Sequence, residues 1–195
     1  MTLTLFSSAG PDHTTPGRES LDRYYTPQPV ADALVRHLPP LGRVGYTLEG
    51  HAGDGAWIRA LRTVCRLPVH GLDLDPGAAG LTAADESAVG DFLEHDPALR
   101  PHAIVGNPPY RDAEAHVRHA IDLVGDGGVV AFLLRLAFLE SLQRRPLWAD
   151  HPPYKVVVLS RRPSFTGGGT DSAAYGFFVW SEKHRCGRPT SLVWE

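Results

Sequence analysis

Residues 48–55 read Leu48-Glu49-Gly50-His51-Ala52-Gly53-Asp54-Gly55 and lead into a helical pattern that begins near Ala56. An apolar run, a glycine-rich turn and a helix in that order form half of a strand–helix–strand unit. Glycines permit the tight turn and let a ligand approach the backbone without meeting a Cβ atom. The spacing is not that of the dinucleotide fingerprint, and no Gly-Lys-Ser/Thr follows, so neither a dinucleotide nor a triphosphate loop is indicated. Glu49 at the strand end instead favours a ligand with a positive group, such as an ammonium or a sulfonium.

Outward from this turn, short apolar runs alternate with helical periods. Strands are expected at Gly45–Leu48, Val69–Leu72, Ala88–Gly90, Ala103–Val105, Gly128–Leu134, Lys155–Leu159 and Ala173–Trp180. Helices are expected at Val30–Leu38, Ala56–Arg66, Gly77–Ala84, Ala113–Val124 and Phe138–Arg145, the last stopped by Pro146. The fourth and fifth strands are apolar throughout, as required when both faces of a sheet are covered. The pattern describes an α/β sheet with helices on both faces. Residues 1–20 lack periodicity and read as a loose arm, and 21–195 as a single domain.

Bulk properties narrow the classes. The 195 residues are 43% hydrophobic and carry a net charge of −3. Ten Lys/Arg face 17 Asp/Glu up to Leu134, against nine and five from Arg135 onward, so the last third is basic. Cys65 and Cys186 are far apart without metal-like spacing, which suits free thiols in a reducing compartment. The stretch Val129–Leu139 is too short to span a bilayer, and the first ten residues lack the pattern of a signal peptide. A soluble, cytoplasmic protein is expected.

Acids stand at three successive strand ends. Asp73, with Leu74 beside it, is placed to accept from ribose hydroxyls and to offer an apolar face to a purine. Asp75-Pro76 reads as a helix cap. Asp91 is placed to accept from an adenine amino group, with Phe92 packing near the ring. With Glu49 they outline a pocket for adenosine carrying a cationic tail. His51 reads as an exposed turn residue, and His116 and His119 as solvated histidines, since no third metal ligand accompanies them.

The fourth strand ends in Gly106-Asn107-Pro108-Pro109-Tyr110. The lone pair of adenine's exocyclic nitrogen is delocalised into the ring, so the amine is a poor nucleophile. An Asn oxygen and the Pro108 carbonyl, each accepting one amino hydrogen, would restore that lone pair for attack on a sulfonium methyl. The prolines fix φ and remove competing N–H donors. Tyr110 lies where a planar substrate can stack.

These residues resemble the class I S-adenosylmethionine-dependent methyltransferases of the amino type, in particular N6-adenine DNA methyltransferases with the gamma motif order. Tyr24-Tyr25-Thr26-Pro27 is similar to the family's N-terminal motif, which closes over the methionine part of the cofactor. Glu49 to Gly55, including Gly50, Ala52 and Gly53, resembles its glycine loop. Asp73, Asp91-Phe92 and Asn107 to Tyr110 match its ribose, adenine and catalytic motifs. Arg162-Pro163-Ser164-Phe165 and the residues up to Asp171 resemble the motif whose aromatic stacks on a flipped base. The resemblance implies that Phe165 sandwiches the base against Tyr110. It also implies that Arg144, Arg145, Arg161 and Arg162 contact phosphates, and a seven-stranded sheet of order 3-2-1-4-5-7-6.

The sequence departs from the family twice. Gly50 stands where proline is common. Only Ser181 to Glu195 follow the base-stacking motif, so target recognition would fall to loops or a partner subunit. Adenine in RNA and a protein glutamine amide present the same planar nitrogen and are alternative acceptors. A non-catalytic binding subunit is a third alternative.

Overall fold

The computed structural model describes residues 24–124, 127–165, 172–181, 183 and 187–195. The expected arm at 1–20, Cys186, and residues 166–171 of the base-stacking motif lie outside them. The elements are α1 (Gln28–Leu34), β1 (Thr47–Glu49), α2 (Ala56–Val64), β2 (Val69–Asp73), α3 (Ala79–Ala83), β3 (Glu86–Val89), β4 (Ala103–Gly106), α4 (Ala113–Val124), β5 (Val129–Arg135), α5 (Arg145–Asp150), β6 (Lys155–Val158), β7 (Tyr175–Trp180) and β8 (Ser191–Trp194).

The strands form one sheet of order β3-β2-β1-β4-β5-β7-β6-β8. Pairing is parallel from β3 through to β5, while β7 runs antiparallel to β5 and β6. The expected seven-stranded order is therefore present, extended by β8, which pairs parallel with β6 at the outer edge. No strand is expected after Trp180, yet Ser191–Trp194 forms one. It lacks a buried run of its own and becomes a strand because β6 offers a free ladder edge.

The two-residue period of β5 distributes its side chains between two cores. Val129, Ala131 and Leu133 join Leu34, Ile58 and Leu61 on one face. Val130, Phe132 and Leu134 join Val117, Leu123 and Leu147 on the other. Helices α1, α2 and α3 thus cover one side of the sheet and α4 and α5 the other. α1 packs chiefly on α2.

Three helical expectations change. The helix expected at Val30–Leu38 starts two residues earlier, at Gln28, and passes into a 3₁₀ turn at Val35–His37. Asp75 does not cap α3; its Oδ1 accepts from Gly77 N at 2.9 Å, in a turn before the helix. Pro146 was read as a stop. Instead it sits in the first turn of α5, where its fixed φ suits helix entry and its missing N–H has no intrahelical partner to lose. The segment before it forms a 3₁₀ turn at Leu136–Leu139. Among the described residues no helix is long and apolar enough to cross a membrane.

Candidate functional site

A cleft opens at the carboxyl ends of β1, β2, β3 and β4. Gly50, His51 and Gly53 line it from the loop after β1, and Asp73 and Leu74 from the end of β2. Gly90, Asp91 and Phe92 follow from β3, and Asn107 and Pro109 from β4. Tyr24 and Tyr25 approach from the segment before α1, and His116 from α4.

The loop is shaped by its glycines. Gly53 has φ +49° and Gly55 has φ +84°, in the left-handed region where a side chain is strained. Gly55 is thereby the N-cap of α2. Asp73 secures the same loop: its Oδ2 accepts from Gly53 N at 2.8 Å and its Oδ1 from Asp75 N at 2.9 Å. Each oxygen keeps a second lone pair, so the carboxylate is pre-oriented at the cleft with acceptor capacity to spare. Gly50, where the family commonly has proline, lies flat against the Phe92 ring, and a Cβ there would overlap it. Asp91 caps the 3₁₀ turn Phe92–Glu94, its Oδ1 accepting from Leu93 N at 2.9 Å.

Glu49 departs from expectation. Its side chain is fully buried, not a wall of the cleft, and its Oε1 accepts from His51 N at 2.9 Å. Its Oε2 is enclosed without a partner. Burial holds its carboxyl well above the usual range, and the nearby Asp73 and Asp54 charges push the same way. It shapes the loop from beneath; Gly106 leaves the space it occupies, since a Cβ there would collide with the carboxyl.

The N-terminal motif divides its work. Thr26 is buried and accepts from Trp57 Nε1 at 3.0 Å, and Pro27 caps α1. Neither lines the cleft; they fix the chain so that Tyr24 and Tyr25 do. Tyr25 lies beside Gly53, with the Tyr24 carbonyl against Asn107. The Asn107 Nδ2 donates to Tyr24 O at 2.7 Å. A carbonyl can only accept, so this bond assigns the amide orientation. Asn107 Oδ1 is consequently an enclosed acceptor with no partner.

Tyr110 leaves the first cleft and borders an adjoining recess with Arg135 and Phe138. Tyr24 stacks on Tyr110 at 5.7 Å between ring centres and meets Phe165 edge-on at 5.7 Å. Tyr110 and Phe165 both also contact Tyr175, and Arg135 lies 5.2 Å from the Tyr110 ring. Sequence reasoning singled out Tyr110 and Phe165 but missed Tyr24's ring between them. Pro108 is buried at the strand end. Arg162 and Arg161 are exposed just before Phe165. Arg144 is not a free phosphate ligand: it donates to the carbonyls of Phe138 and Glu140 at 2.8 and 2.6 Å and lies over the Phe138 ring.

The histidines also depart from expectation. His116 is buried, with Nδ1 2.9 Å from Asp112 O. His51 turns inward, 4.8 Å from His116 and 5.1 Å from Phe92 between ring centres, and both its ring nitrogens are enclosed. Nothing in the local sequence separates a loop histidine pointing outward from one pointing into a cleft.

No family model matches the chain. Over 102 residues it is 37% identical to the type II methyltransferase M.TthHB8I of Thermus thermophilus, a match covering 50% of this chain and 23% of that protein. The chain thus spans about a quarter of that curated relative's length. A modification subunit of a putative type I restriction enzyme from Vibrio vulnificus superposes with a TM-score of 0.62 at 17% identity, covering 86% of this chain and 45% of that one. A putative class I S-adenosylmethionine-dependent methyltransferase from Listeria monocytogenes gives 0.61 at 11% identity, covering 87% and 62%. The sheet order and these superpositions establish the Rossmann-like methyltransferase fold.

Proposed function

We propose that the chain binds S-adenosylmethionine in the cleft and transfers its methyl group to the exocyclic N6 of adenine in DNA. The observation that carries this reading is Asn107, whose Nδ2 is tied to the Tyr24 carbonyl while its Oδ1 is left enclosed and open to a donor.

The residues present suit the cofactor. Asp73, already held by two backbone N–H groups, has lone pairs left for ribose hydroxyls. Leu74 and Pro109 offer apolar faces to a purine, and Asp91 an acceptor for its amino group. Asp54 and Asp73 give the loop a negative field that a cationic tail relieves, while buried Glu49 is held toward its neutral form. Gly50 and Gly53 expose backbone to the ligand. When bound, the cofactor supplies an electrophilic methyl group on a sulfonium.

Chemistry then needs little from the protein beyond orientation. Asn107 Oδ1 accepts one hydrogen of the acceptor NH2 group and the Pro108 carbonyl the other. Both bonds strengthen as the nitrogen becomes tetrahedral, so they favour the transition state over the ground state. With both hydrogens so held, the nitrogen lone pair would face the methyl group that the cofactor would supply, and the spare proton would pass to solvent after transfer. No strong base is required, because the leaving group is a neutral thioether. Entry of a flipped base between Tyr110 and Phe165 requires the Tyr24 ring to move aside. Arg162, exposed three residues before Phe165, is the proposed phosphate ligand. Similarity to a type II methyltransferase and a type I modification subunit supports DNA as the acceptor polymer.

Substitution Asn107→Ala tests this directly. Methyl transfer is expected to fall by about a thousandfold, the loss typical of a transition-state hydrogen-bond acceptor. Cofactor affinity measured by calorimetry should change by less than about fivefold. Equal loss of both would show that Asn107 is structural.

A further inference from the structure

His51 and His116 take no part in the steps above, yet both line the cleft. The His51 backbone is fixed by Glu49 Oε1, and the close approach of Gly50 to Phe92 sets where its imidazole can go. The ring faces Phe92, His116 and Phe132. His116 donates from Nδ1 to the Asp112 carbonyl, so its other nitrogen is an acceptor when the ring is neutral. His51 carries one donor and one acceptor as a neutral ring, and both are shut away from solvent without a partner. Burial holds both rings below the usual imidazole range, with His116 adding to the shift at His51 and His119 to that at His116.

A phenylalanine would fill this position at no polar cost. An imidazole with two unmet bonds is instead kept in the wall of the cleft, against the ring of Phe92, the residue that follows Asp91. We propose that His51 reads the purine edge of the cofactor, hydrogen-bonding a ring nitrogen next to the amino group that Asp91 receives. This rests on the cofactor reading above. His116, anchored to Asp112, is a positioning residue that holds the His51 ring in place.

The test is calorimetric binding of S-adenosylhomocysteine and its 1-deaza and 7-deaza analogues, each lacking one ring nitrogen. The native protein is expected to bind one deaza analogue about tenfold more weakly than the parent, the worth of one buried hydrogen bond left unmade. His51→Phe should bind the parent about tenfold more weakly and no longer distinguish it from that analogue. Discrimination that survives in His51→Phe, or native binding indifferent to both analogues, overturns the proposal while leaving the cofactor reading intact. Failure of the native protein to bind S-adenosylhomocysteine overturns both. Should His51→Phe not fold, ¹⁵N spectra of the native imidazoles serve instead. A His51 ring nitrogen should shift with the parent compound and not with the weaker deaza analogue, and an unmoved resonance counts against the proposal.

Discussion

The Glu49 carboxyl lies enclosed at the end of β1, beneath the glycine loop. An acid closing the first strand stands out in the chain, but its burial depends on Gly106, a residue of another strand that leaves room for the carboxyl. The same holds for His51 and His116, whose inward setting comes from contacts between β1, β3 and α4. Asn107, by contrast, is singled out by the tetrapeptide alone, and it does line the cleft; its proposed role follows from local chemistry. The raised Glu49 carboxyl has a consequence for stability. Its folded form binds a proton more tightly than the unfolded chain, so this contribution is complete below the ordinary carboxyl range and is lost as pH rises through the raised value. Glu49→Gln removes that loss and keeps an acceptor for His51 N. The ligand-free variant is expected to melt a few degrees higher at neutral pH, on the order of 1 kcal/mol more stable, with the difference vanishing in acid. A melting temperature unchanged across pH would show that Glu49 is not held in a raised state.

At the scale of elements, the patterns that read correctly were those set by periodicity. α4 occupies Ala113–Val124 as its apolar spacing indicated, and β5 alternates between the two cores. Elements defined by a neighbour were harder to see. β8 exists through its pairing with β6, and α5 starts where proline was taken as an ending. α3 hides a similar dependence at Gly80, whose N–H donates to Gly53 O at 2.9 Å and whose Cα lies directly on the Ala52 backbone. Gly80→Ala forces α3 away from the glycine loop. A destabilisation of about 1–3 kcal/mol, as for overpacking, is expected in thermal melts, together with roughly tenfold weaker cofactor binding as the loop shifts. Removal of residues 187–195 is a contrasting case. It uncovers the edge of β6 and should lower the melting temperature and promote aggregation, while cofactor affinity stays within about twofold because the cleft lies across the sheet. Loss of affinity on that truncation would mean that β8 supports the site.

Across the whole molecule, two halves of the sheet divide the work. The β3-β2-β1-β4 side builds the cofactor cleft, and the β5-β7 side contributes Arg135, Tyr175 and the Phe165 segment around Tyr110. The basic last third of the sequence falls on the second half, so DNA affinity is expected to fall steeply with added salt. Arg162→Ala should weaken binding across sequences without altering cofactor affinity. The central claim, that the Asn107 corner methylates an adenine amine, is tested most directly by supplying S-[methyl-³H]adenosylmethionine with DNA, RNA and lysate protein, then digesting each polymer. The account predicts label in DNA, recovered as N6-methyladenosine's deoxy form, and none above background with Asn107→Ala. Label confined to protein glutamine or to RNA, or undiminished transfer by the variant, would contradict it.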